Sequence, residues 1–131
     1  MSGKVELCIE NGNVLNVFSR QFEEKKLWIN NGKIVATGNA KLDAAEYFNA
    51  QNRYIVPGMI DAHVHIESSM LSPSELGKVL LAAGTTSIVT DPHEIANVCG
   101  TEGIKYMICD GCQTPLDIFF MLPSSVPCAS Y

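Results

Sequence analysis

The sequence predicts an α/β protein in two parts, and three observations carry that reading. Up to about residue 56, short alternating runs are separated by Asn-Gly turn signals. From Met59 onward, strand-like apolar runs alternate with runs of helical spacing, the order of a parallel sheet covered by helices. A helix-start signal, Ser72-Pro73-Ser74-Glu75, stands between the first two of those strand-like runs.

The elements follow in order. Val5-Glu6-Leu7-Cys8-Ile9 alternates and ends at Asn11-Gly12, which reads as a turn, with a strand resuming over Val14 to Phe18. Lys26-Leu27-Trp28-Ile29, Asn30-Asn31-Gly32 and Lys33-Ile34-Val35-Ala36 read as a hairpin, because Asn and Gly tolerate the positive φ of tight turns. Residues 39 to 46 give no clear signal. Tyr54-Ile55-Val56 is a short strand stopped by Pro57-Gly58. Ile60 to Ile66 alternates as the next strand. The helix opening at Ser72 is expected to turn Leu76, Val79, Leu80 and Ala83 inward and to stop at Gly84. Thr85 to Thr90 is β-branched and reads as a strand. A second helix is expected from Glu102 to about Cys109 with Ile104, Met107 and Ile108 inward, and Leu116 to Leu122 reads as a buried parallel strand.

Composition narrows the function. The 131-residue chain carries a net charge of -5, and Lys25-Lys26 is its one basic cluster, which argues against a nucleic-acid partner. The segment Met1 to Leu7 lacks the apolar core of a secretion signal, and no run approaches the roughly 18 apolar residues of a membrane span. Five cysteines, an odd number, are then expected as free thiols in a cytoplasmic setting. No internal repeat or low-complexity tract is present.

The chemistry concentrates in Asp61-Ala-His-Val-His-Ile-Glu67. Side chains alternate faces along a strand. If the strand stays extended, Asp61, His63, His65 and Glu67 share one face, and Ile60, Ala62, Val64 and Ile66 share the other. His63 and His65, at i and i+2, project the same way and can reach one cation, His being the commonest metal ligand. The plainer alternative is a solvent-facing strand with a chance histidine pair. Two of the chain's three histidines lie here, and the third, His93, follows the next strand in Thr90-Asp91-Pro92-His93-Glu94. His93 alone is equally readable as a loop or helix cap. Asp61 suits the orientation of His63 better than metal ligation, since a ligating His donates its second N–H to such a group. Ser124 and Ser125 follow the third strand, with loop hydrogen bonding as their default role.

Pro57-Gly-Met-Ile-Asp-Ala-His-Val-His65 resembles the amidohydrolase superfamily. The phrases His65-Ile-Glu-Ser-Ser-Met70 and Asp91-Pro-His-Glu-Ile-Ala-Asn97 resemble its adenine-deaminating branch. That resemblance implies the N-terminal part of a (β/α)8 TIM-like barrel, residues 57–131, preceded by part of a small β-sandwich, residues 1–56. It implies hydrolytic deamination of adenine, the small-molecule partner, to hypoxanthine and ammonia. His63 and His65 would hold one divalent metal of a pair, manganese or iron being favoured and zinc compatible. Glu67, His93 and Glu94 would be catalytic, and Asp61 and Asp91 supporting. A homo-oligomer of the full-length protein is also implied. Such a barrel takes about 250 residues, so the chain is expected to be an N-terminal fragment, inactive by itself. Two alternatives stand beside this: an amidohydrolase for another purine or a cyclic amide such as a hydantoin, and a fragment without enzymatic function. The zinc base deaminases, with His-x-Glu and Pro-Cys-x-x-Cys, fit poorly. Ile108 stands where Pro should precede Cys109-x-x-Cys112, His65-Ile-Glu67 is strand-like, and His63 is left without a role.

Overall fold

The computed structural model describes residues 3–123 and residue 126. Ser124 and Ser125 lie outside the described residues. The chain separates into two compact units, Met1–Pro57 and Gly58–Tyr131.

The first unit is one five-stranded sheet. Strands β1 (Lys4–Asn16), β2 (Gln21–Asn30), β3 (Lys33–Thr37) and β4 (Asp43–Asn49) lie in the order β3-β2-β1-β4, and β5 (Tyr54–Ile55) also pairs with β1. The β2–β3 hairpin forms as expected, with Asn31 and Gly32 both at positive φ. Asn11-Gly12 is a correction: the pair lies inside β1 and makes no turn. There the register against β2 shifts, and Asn11 takes the left-handed conformation at φ 54°. This irregularity lets β1 change partners, from β4 up to Glu10 to β5 from Asn13. A Cβ on Gly12 would fall 2.3 Å from Ile55 Cδ1 and 3.2 Å from Ala50 Cβ, so a larger residue there would make Ile55 shift. The unit's core is Val5, Cys8, Trp28 and Ala44, and Trp28 Nε1 donates to the Gly38 carbonyl at 2.9 Å. The described strands of this unit form a single sheet.

The second unit runs β-α-β-α-β with parallel strands, as the sequence predicts. Strands β6 (Met59–Val64), β7 (Thr85–Thr90) and β8 (Asp117–Phe120) lie in that order, connected by helices α1 (Pro73–Ala82) and α2 (His93–Gly111). Ile66, Leu76, Ile88, Met107 and Leu116 form its core, where strand and helix faces meet.

Four local expectations change. The inward face of α1 is Leu76, Gly77, Leu80 and Leu81, while Val79 is exposed. Ser72 makes no capping hydrogen bond, and Glu75 pairs with Lys78. The free Ser74 amide donates instead to Asp110 Oδ2 of α2, at 2.8 Å. Helix α2 begins at His93, nine residues before Glu102, and is interrupted at Gly100 (φ 59°, ψ -147°), so the expected helix is its second half. Within that half Met107 is buried, Ile104 is partly buried, and Ile108 is exposed. Strand β8 is not buried throughout. Asp117 interrupts the apolar run, and it and Phe119 are exposed while Ile118 and Phe120 pack on the core.

Two predictions follow from this packing. The bond from the Ser74 amide holds the Asp110 carboxyl below the usual carboxylate range. A carboxylate lowered in the folded state contributes stability that is present above its unfolded value, about 3.9, and lost as pH falls through the folded value. Asp110→Ala is therefore expected to lower the melting temperature at neutral pH and to make the acid limb shallower. Circular-dichroism melts between neutral pH and about pH 2 read both effects.

The second concerns association. β6 and β8 each bond one strand within the sheet, and Met59, Ile60, Phe119 and Leu122 are exposed. Open apolar edges template pairing. The 131-residue chain is expected to self-associate on size-exclusion chromatography with light scattering. A monodisperse, cooperatively unfolding monomer would overturn this.

Candidate functional site

The C-terminal ends of β6 and β7 carry the site. Parallel pairing puts both ends in one layer, and the Asp91 amide extends the ladder by donating to the Val64 carbonyl at 3.1 Å. β6 stops at Val64, and Ile66 is already helical (φ -58°, ψ -40°) at the entry to a 3-10 turn, Glu67–Ser69. The extended alternation therefore holds for Asp61 and His63. Glu67 reaches its place through the turn.

His63 and His65 meet, their Nε2 atoms 3.1 Å apart and their rings edge to face. Two cis nitrogens bound to one cation at about 2.1 Å each lie roughly 3.0 to 3.4 Å apart, so this separation suits a shared ligand. The His93 ring packs edge to face against His65 with centroids 4.7 Å apart. His65, His93 and Glu94 form a second, overlapping donor group, with one donor atom from each lying within 4.8 Å of the others. His65 belongs to both groups: its Nε2 faces His63, and its Nδ1 lies 3.0 Å from the Asp91 carbonyl and 3.3 Å from Glu94 Oε2.

Asp91 fixes two rings. Its carbonyl engages His65 Nδ1, and its Oδ2 lies 3.1 Å from His93 Nδ1. With both Nδ1–H groups donating, the Nε2 lone pairs of His65 and His93 are left for a ligand, the arrangement in which outer partners orient metal-binding imidazoles. Asp61 Oδ1 accepts the His63 amide at 3.1 Å, steadying the backbone and not the ring. Glu67 Oε1 accepts the Ile95 amide at 3.1 Å in the first turn of α2. Ser68 Oγ donates to Glu94 Oε1 at 3.3 Å.

Glu67 Oε2, Asp91 Oδ1 and Glu94 Oε2 are buried without a hydrogen-bond partner. Buried carboxylate oxygens are costly unless paired or coordinated. Imidazole nitrogens beside orphaned carboxylate oxygens are a donor set that fits a divalent cation. Sequence reasoning did not find Ser68 as the partner of Glu94, or Asn97, whose amide donates to the His93 carbonyl at 2.9 Å. Ser68 and Asn97 each left a trace only as part of a motif, without a role.

A family model described as the amidohydrolase family matches residues 54–130, more than half of the chain. The chain belongs to the amidohydrolase family. Among relatives, this amidohydrolase is 56% identical to an adenine deaminase of Lactiplantibacillus plantarum, over 100% of the chain and 23% of that protein. It is 53% identical to adenine deaminase 1 of Oenococcus oeni, over 100% of the chain and 24% of that protein. A solved D-hydantoinase superposes with a TM-score of 0.66 at 25% identity, covering 88% of this chain and 26% of the other. The amidohydrolase chain thus spans about a quarter of the length of the curated relatives it matches. No helix among the described residues is long and apolar enough to cross a membrane.

Asp91→Ala is expected to weaken divalent-metal binding at the His65, His93 and Glu94 group by about 10- to 100-fold, since its carboxylate is the outer partner of His93 while His65 keeps its backbone partner. Asp91→Asn, which keeps an acceptor for His93, is expected to lose less. Titration of each variant with manganese or cobalt checks this, and equal affinities across the three proteins would sink it.

Proposed function

We propose that this chain supplies the first metal-holding strands of an enzyme that deaminates adenine hydrolytically to hypoxanthine and ammonia. The observation that carries the proposal is the convergence of His63, His65, His93 and Glu94 at two adjacent strand ends. Active sites of (β/α)8 enzymes gather at such ends. The substrate is carried over from the relatives named adenine deaminase.

The roles divide as follows. His63 and His65 hold a divalent metal, one of a pair, and manganese or iron is the choice the superfamily resemblance favours. The bound metal supplies Lewis acidity and lowers the pKa of water toward about 7. Asp91 orients His65 and His93, and Asp61 steadies the strand at His63. Deamination replaces the C6 amino group of adenine by oxygen, so the attacking water loses two protons, one gained by ring N1 and one by the departing nitrogen. His93, Glu94 and Glu67 are the groups placed to carry those protons. The chain's acidity and its described free cysteines suit a cytoplasmic setting.

The likeness to D-hydantoinase supports a second reading, hydrolysis of a cyclic amide. Both are tested by grafting this chain onto the remaining length of the Lactiplantibacillus plantarum relative. The graft is expected to release ammonia from adenine. His65→Ala should cost at least about 100-fold, as residues acting as a unit are lost together. The isolated chain is expected to show no measurable turnover. A metal-loaded graft that opens hydantoin but leaves adenine intact would move the assignment to the second reading.

A further inference from the structure

The turn Glu67-Ser68-Ser69 is unaccounted for by ligand geometry, yet each of its side chains is engaged. Ser69 Oγ donates to the Ile66 carbonyl at 2.6 Å and accepts the Leu71 amide at 3.2 Å, so it stabilises the turn itself. Glu67 and Ser68 reach outward to residues 28 and 26 positions away, respectively, both in the first turn of α2.

The geometry points to a clasp: Glu67 and Ser68 are positioning residues that hold the first turn of α2, and with it Glu94, against the histidines of β6. An α-helix leaves its first amides without intrahelical partners. Pro92, at the N-cap, contributes no capping bond. Glu67 supplies the missing acceptor to Ile95 from outside the helix. Ser68 decides the direction of the neighbouring carboxylate. It occupies Glu94 Oε1, which leaves Oε2 buried, without a hydrogen bond, and 3.3 Å from His65 Nδ1. Without the Ser68 hydroxyl the Glu94 carboxylate loses this constraint, and its place beside His65 and His93 in the second donor group is loosened. The need for Ser at 68, and for an acceptor at 67, follows from this contact between loop and helix.

The test has two arms on the 131-residue chain. The first involves no metal: exchange of the Ile95 amide is followed by NMR. Glu67→Leu is expected to speed it at least about tenfold, and Glu67→Gln, which keeps an acceptor oxygen, to leave it near the parent rate. The second arm rests on the metal-centre reading, and titrates manganese with its EPR signal as readout. Ser68→Ala is expected to weaken binding by about 10- to 100-fold, and Ser68→Thr, which keeps the hydroxyl, to restore it. Melting curves of all variants separate these effects from unfolding. Unchanged Ile95 exchange in Glu67→Leu overturns the Glu67 half of the clasp. Equal manganese binding by Ser68→Ala and the parent overturns the Ser68 half. A parent chain that binds no manganese, while Ile95 exchange responds as expected, defeats the metal-centre reading and leaves the Glu67 half standing.

Discussion

Everything at the site depends on Asp91. Its amide completes the parallel ladder onto Val64, its carbonyl holds His65, and its carboxylate holds His93. One residue thus joins the end of β6, the end of β7 and the start of α2. Backbone bonds set the height of the two strand ends, and that height sets where the imidazoles lie. Because the contacts to His65 and to Val64 are backbone contacts, much of the arrangement survives any side chain at this position. What the carboxylate adds is the orientation of His93.

The strand-and-helix order of the second unit was legible because each signal was local. The β-branched run Thr85–Thr90, the proline at the start of α1 and Gly84 at its end act within a few residues of themselves. The i, i+2 spacing of His63 and His65 likewise needed only strand geometry. What was not legible depended on residues distant in sequence. Ser72-Pro-Ser-Glu75 marked the right helix start for a reason the structure does not use: the cap comes from Asp110, 36 residues later than Ser74. The early start of α2 depends on Glu67, 28 residues before Ile95. Asn11-Gly12 carried a turn signal but met two partner strands on one side, so its left-handed residue became an irregularity within β1. Val79 was read as inward from helical spacing and Phe119 from a continuous apolar run, and an apolar side chain is only a one-way guide to burial.

The acidic residues show the same division. Three carboxylates near the histidines have each committed one oxygen: Glu67 to Ile95, Asp91 to His93 and Glu94 to Ser68. Each has its other oxygen buried and without a hydrogen bond. A surface cluster would leave these atoms in water, where they cost nothing. A purely structural cluster would pair them, since a buried unpaired polar atom costs about 1 to 3 kcal/mol. Half-committed carboxylates around imidazoles combine fixed orientation with spare acceptor capacity. That combination fits a divalent cation.

A short stretch of sequence can carry this much of a site because parallel strands do the gathering. In an antiparallel pair, consecutive strand ends lie on opposite sides of the sheet. Here, the crossover through α1 returns the chain so that β6 and β7 finish side by side, and donors separated by 26 to 28 residues meet within about one side-chain length. Spacing along the chain then matters only inside each cluster: a two-residue step from His63 to His65, and another from Asp91 to His93. The distance between clusters is absorbed by the helix. The chain spans about a quarter of its relatives' length, yet the preorganised part of its donor set closes within the first two strands of the second unit. The metal-holding and proton-moving roles are therefore separable by experiment. The contacts that orient His65 and His93 are made within this chain, whereas turnover depends on groups that must act together.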